Sequence, residues 1–199
     1  MADKRARAEL ARAAFALNAR SGLPPLVLMT DEARLADPAA SVCALPRGSM
    51  VILRARDEKR RGELAIELRA ITRARRIKLL IANDAELAAR VGADGIHLAE
   101  ALASTAVHWR ACRPGWIITA AAHSLPAPRL AQVDALILAP VFPTRSHPGA
   151  KHIGAVRARI LAQQSRTPLY ALGGVDAATA RQLAGARFAG LAAIGALTV

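Results

Sequence analysis

Short, nearly unbroken apolar runs recur along the chain, and most of them close on polar or glycine residues. Leu26–Met29 closes on Thr30 and Asp31, Met50–Leu53 on Arg54, Arg56 and Asp57, and residues 79–81 on Asn83 and Asp84. Gly95–Leu98 comes next, then residues 116–119 leading to His123, and Ala135–Leu138 ending near Pro140. Residues 168–172 end at Gly173 and Gly174, and residues 190–194 at Gly195. Runs of this length and character are strands buried on both faces. Helical patterns lie between most of them, over Glu58–Arg75 and residues 85–91, 104–112, 153–164 and 177–184. A leading helix is predicted over residues 3–20, with Leu10, Ala14 and Leu17 on one face. Strand and helix in alternation predict a parallel sheet covered by helices, and eight such strands predict a closed (β/α)8 TIM barrel. An open doubly wound sheet is the alternative, but no GxGxxG follows the first strand.

Length and composition refine this picture. The 199 residues, 53% hydrophobic and 22% charged, suit one folded domain and exclude a disordered chain. We expect a leading helix over residues 1–22 and a barrel over 23–199. The pattern is short for its class, because no covering helix is visible after the eighth strand and segment 32–49 is a brief, proline-broken crossover. The leading helix or a partner subunit, as in a homodimer, is expected to cover the open flank. The longest stretch free of Asp, Glu, Lys and Arg, residues 114–128, is too short and too broken by proline for a membrane span. Two distant cysteines, Cys43 and Cys112, and the lack of a signal-like leader point to the cytoplasm.

A formal charge of +13 fits nucleic acid, an anionic surface or an anionic small substrate. Aromatic residues make up only 3% and no nucleic-acid reader motif occurs, which turns the reading away from nucleic acid. Much of the charge, as in residues 69–76, belongs to solvated helix faces.

In a barrel of this type the strand ends carry the chemistry. Arg54 and Arg56 flank Ala55, so on a continuing strand they share a face and form an anion clamp; rim ion pairs with Asp57 or Glu58 are the competing use. Asn83 and Asp84 offer oxygen ligands to a hard cation such as Mg2+, or the cap of the next helix. Gly173, Gly174 and Gly195 let backbone amides approach a phosphate, although paired glycines also serve plain tight turns. His123 is a candidate acid or base, and His97 a rim or interior residue. The long loop from Pro140 to Lys151, with Thr144 and His147, resembles a lid over an anionic ligand.

Taken together, several segments resemble the thiamine phosphate synthase and TenI family. They are Met29-Thr30-Asp31, residues 51–54, Ile81-Ala82-Asn83-Asp84, the GADGIHL run of residues 92–98, Pro140-Val141-Phe142-Pro143-Thr144 and residues 171–175. The resemblance covers the chain from about Leu26 onward and implies a TIM barrel of thiamin biosynthesis. Such a synthase couples a hydroxymethylpyrimidine diphosphate to a thiazole phosphate with Mg2+, through a dissociative substitution in which the leaving pyrophosphate must be neutralised. By that likeness Arg54 and Asn83 would contact pyrophosphate, Asp84 would hold Mg2+, and Thr144, Gly173 and Gly174 would hold the thiazole phosphate. TenI-like thiazole tautomerases are similar and use the histidine matching His123. A non-catalytic phosphate-binding paralogue is the third reading.

Several positions depart from the family pattern. Ile52 stands for a glutamine, Ala55 for a glutamate and Arg56 for a lysine; Leu102 stands for the aspartate that is the second metal ligand. Ala121 and Gly195 replace serines, and His147 replaces a lysine. Of the residues near Leu102, Glu100 is the one carboxylate that could substitute.

Overall fold

The computed structural model describes residues 3–17, 21–123, 132–144, 149 and 151–199. Eight parallel strands close into a barrel in chain order, so the predicted (β/α)8 architecture is the one observed. They are β1 Leu26–Met29, β2 Met50–Leu53, β3 Lys78–Ala82, β4 Gly95–Leu98, β5 Ile117–Ala122, β6 Ala135–Leu138, β7 Leu169–Ala171 and β8 Phe188–Ala193. The helices are α1 Lys4–Leu17, α2 Pro38–Cys43, α3 Glu58–Arg75, α4 Ala85–Arg90, α5 Ala106–Cys112, α6 Ala155–Gln164 and α7 Ala177–Ala180. Two expected helices are partly tightened into 3-10 turns: Glu100–Thr105 precedes α5, and Arg181–Leu183 follows α7. β5 runs three residues past its predicted end and delivers His123 directly to the rim.

Alternation along the strands sorts side chains into two cores. Val27, Met29, Met50, Ile52, Leu80, Ile137 and Tyr170 fill the barrel interior. Leu26, Leu28, Val51, Leu53, Leu79, Ile81, Ile96 and Leu98 pack outward against the helices. Such two-sided burial is why the strands read as continuous apolar runs rather than as alternating ones. Leu10 and Ala14 of α1 are fully buried, and α1 packs over β1, β8 and α7. The leading helix therefore covers the flank for which no helix was visible after the eighth strand.

At the strand starts, two acids repeat one device. Asp94, just before β4, donates its amide to the Leu79 carbonyl at 2.8 Å and accepts the Leu79 amide on its carboxylate at 3.0 Å. Asp134, just before β6, forms the same reciprocal pair with Ile118, at 2.8 and 2.7 Å. Each carboxylate also meets an arginine from the helix before the neighbouring strand, Arg69 at 2.7 Å and Arg110 at 2.6 Å. Gly95 is required there, because a Cβ on it would lie 1.9 Å from the Ile117 carbonyl oxygen.

Candidate active site at the barrel mouth

Strand ends bring Asp31, Arg54, Asn83, Asp84, Glu100, His123, Gly173, Gly174 and Gly195 to the carboxyl pole of the barrel. At the β1 and β2 ends, the Thr30 hydroxyl accepts the Arg54 amide at 2.8 Å and donates to the Arg54 carbonyl at 3.0 Å. The Arg54 guanidinium reaches Asp31 at 2.6 Å, and Arg34 reaches the same carboxylate at 2.9 Å. Arg34 foremost, with Arg54 behind it, outweighs partial burial and holds the Asp31 carboxyl at about 2. Arg54 is thus oriented by Asp31 rather than by Asp57 or Glu58. Asp57 instead caps α3 through the Arg60 amide. Arg56 is exposed, and its side chain makes no ion pair among the described residues.

Asn83 takes a left-handed backbone, φ 55°, a conformation that asparagine tolerates better than most residues. Its amide donates to the His97 carbonyl at 2.9 Å and its Oδ1 accepts the Ala99 amide at 2.7 Å, tying the ends of β3 and β4 together. Asp84 is the N-cap of α4, with Oδ1 on the Leu87 amide at 2.9 Å. Its other oxygen, Oδ2, lies 2.9 Å from the guanidinium of Arg61, a residue of α3 that also donates to the Ala55 carbonyl at 3.3 Å.

These residues do not fit Mg2+ as they stand. That ion demands oxygen ligands at about 2.0–2.1 Å in near-octahedral array. Both Asp84 oxygens are committed, one of them to a cation already. The candidate substitute Glu100 turns away to His123: its Oε2 lies 2.7 Å from the imidazole Nδ1, and its Oε1 accepts the His123 amide at 3.4 Å. No group of three or more His, Cys, Asp or Glu that could hold a metal occurs among the described residues.

Below the rim, His97 lies inside the barrel with Nδ1 2.9 Å from the Thr119 hydroxyl. Burial, helped by the Arg54 charge, lowers its pKa from 6.5 to about 4, so the ring is neutral at pH 7. His97 is therefore an interior residue, whereas His108 is exposed on α5.

Across the mouth, the β6 and β7 ends interlock. The Phe142 amide donates to the Gly173 carbonyl and the Val141 amide to that of Leu172. A Cβ on Gly174 would lie 2.3 Å from the Pro143 carbonyl oxygen, so the glycine pair is demanded by this packing as well as by any ligand. Thr144 is half-buried and follows Pro143 in the chain, and Gly195 opens a 3-10 turn after β8. Residues 145–148, including His147, lie outside the described residues.

Sequence reasoning missed Arg61, which looked like one more cation in a charged helix. It also weighed Glu100 only as a metal ligand. The available signal for Arg61 was its place in the first turn of α3, directly after a capping aspartate.

The family model described as thiamine monophosphate synthase matches residues 3–197. The chain belongs to that family. A putative thiamine-phosphate synthase 2 of Aquifex aeolicus is 38% identical over 131 residues, 63% of this chain and 70% of that protein. The thiamine-phosphate synthase of Pasteurella multocida is 31% identical over 68% of this chain and 64% of its own length. Among solved structures, thiamine phosphate pyrophosphorylase from Pyrococcus furiosus superposes with a TM-score of 0.68 at 25% identity, covering 85% of this chain and 84% of that one. Membership places this chain in a family of thiamin biosynthesis whose members act on small phosphorylated substrates. No helix among its described residues is long and apolar enough to cross a membrane.

Proposed function

We propose that this family member is a TenI-like tautomerase, moving a proton on a phosphorylated thiazole rather than coupling the thiazole to a pyrimidine. The observation that carries the reading is the Glu100 to His123 contact of 2.7 Å. A carboxylate on Nδ1 fixes the ring with that nitrogen protonated and leaves Nε2 as the basic atom, the arrangement general base catalysis uses. Tautomerisation takes one proton from the ring and returns one elsewhere, so a single base that exchanges its proton suffices and no atoms are gained or lost. Gly173, Gly174, Gly195 and Thr144 are the proposed phosphate cradle. Backbone amides of glycine turns after the last two strands of such barrels present positive dipoles to an anion.

Purified protein given a thiazole carboxylate phosphate in EDTA should convert it, and His123→Ala should slow conversion about 100-fold or more. Unchanged conversion by His123→Ala sinks the reading.

The synthase reading is favoured by Arg54 and Asn83 at the positions the family uses for pyrophosphate. It would require Asp84 to exchange Arg61 for Mg2+. Formation of thiamin phosphate from both halves with Mg2+, and not with EDTA, would establish it over the tautomerase; phosphate-ligand binding with neither conversion would leave the non-catalytic paralogue.

A further inference from the structure

We infer that the Arg61 guanidinium holds the seat of a divalent cation at Asp84, so that the anion site on the β2 and β3 rim works without metal. Three observations converge. The Arg61 group lies 2.9 Å from the one carboxylate of the rim that a metal would need, and it is anchored from a second side by the Ala55 carbonyl at 3.3 Å. Its side chain is only 19% exposed and that of Asp84 23%, so the pair is shielded from competing solvent ions. Its Nε is buried with no partner, so the end of the side chain is held by Asp84 and the Ala55 carbonyl, with the Glu58 carboxylate more distant at 4.0 Å.

The electrostatic consequence is a change in what the rim presents. A carboxylate with Mg2+ carries a net positive charge towards a phosphoryl group, whereas a carboxylate with a guanidinium is neutral. Asp31 is likewise compensated by Arg34. The positive charge left on this rim is that of Arg54 and of the exposed Arg56, beside the Glu32 carboxylate that accepts the Arg56 backbone amide at 3.3 Å. Such a rim matches a phosphomonoester better than a diphosphate, whose additional charge is what the second cationic valence would neutralise. Arg61 is here a positioning residue: it closes Asp84 and leaves ligand contact to the other two arginines. The inference concerns the cation seat and stands apart from whether His123 moves a proton.

Its test uses Mn2+ as the metal probe, read by electron paramagnetic resonance of free Mn2+, and inorganic phosphate and pyrophosphate as the anion probes, read by calorimetry in EDTA. Wild type and Asp84→Asn should take up Mn2+ equally poorly. Arg61→Met should bind Mn2+ at least about tenfold more tightly, and adding Asp84→Asn should abolish the gain. Phosphate binding to wild type in EDTA should weaken in Arg54→Ala, and pyrophosphate should bind no more tightly than phosphate. Should Arg61→Met fail to fold, Arg61→Gln, which keeps a donor on the Ala55 carbonyl but no charge, replaces it with the same expectation. Tight Mn2+ binding by wild type that Asp84→Asn abolishes would overturn the inference. So would an Arg61 variant that folds and gains no Mn2+ affinity.

Discussion

Acids at the two poles of this barrel meet arginines at nearly the same distances, yet they do different work. On the floor, Asp94 and Asp134 put their carboxylates on backbone amides of the neighbouring strand, and the arginines reinforce a staple already made. At the mouth, Asp31 and Glu100 hold the side chains of Arg54 and His123, which stay largely open to solvent at the strand ends. Asp84 combines both roles, since it caps α4 and meets Arg61. The lesson is that an ion pair's distance does not reveal its purpose; the remaining lone pairs do. Where they are spent on backbone, the pair secures closure. Where they orient a cation or an imidazole, the pair sets up chemistry.

Substitutions can break this comparison, and the largest effect is expected on the floor. Gly95→Ala should cost at least ~3 kcal/mol, since backbone on both sides must move to admit the Cβ. Urea denaturation would show it as a lowered midpoint or an unfolded product. Next comes a pH window set by His97. With the folded pKa at about 4 against 6.5 unfolded, the unfolded chain binds the extra proton first, so stability is lost as pH falls from 6.5 towards 4. The full loss is roughly 3 kcal/mol. Urea midpoints measured from pH 7 to pH 4 should show that slope in wild type and its absence in His97→Gln.

A smaller pair of effects sharpens the contrast between poles. Asp94→Asn should cost about 2 kcal/mol and Asp84→Asn about 1 kcal/mol, because the first breaks a half-buried amide and two-cation network while the second keeps an amide oxygen for the cap and loses only the charge facing Arg61. Burial alone would raise the Asp94 pKa, but the Leu79 amide, Lys78 and Arg69 outweigh it and the value is lowered. Its contribution to stability is therefore complete above the ordinary carboxylate value and is lost as pH falls below it. Thermal melts of the two variants at pH 7 would rank them. Smallest of all, Arg54→Ala should change stability by less than about 0.5 kcal/mol, since its pair with Asp31 is half exposed. It should instead weaken inorganic phosphate binding by calorimetry.

Much of the fold was legible beforehand. β1, β2, β4 and β6 have the bounds their apolar runs predict, because two-sided burial keeps these strands apolar apart from His97, whose ring is paired with Thr119. The short helices were less legible. Residues 100–105 and 181–183 are tightened turns whose alanine-rich sequence suits an α-helix equally well. At the site, the positions of Arg54, Asn83, Asp84 and His123 at strand ends followed from the pattern. Their partners do not: from sequence alone Asp31 only closes a strand, Glu100 only offers a carboxylate near Leu102, and Arg61 is one of many charges along Glu58–Arg75. The floor staple was visible only in hindsight, as an aspartate between small or apolar residues just before β4 and β6.

The order of residues by itself determines the eight strands, their helices and the pole at which polar side chains gather, because these depend on local periodicity and on which residues shun water. Family membership is equally written in the motifs. Tertiary structure alone decides that Arg61, 23 residues before Asp84, closes that carboxylate, and that Glu100, also 23 residues before His123, orients its ring. Such pairings depend on where strands of the closed barrel bring separate loops together, and a long side chain can reach several neighbours that a linear sequence does not rank.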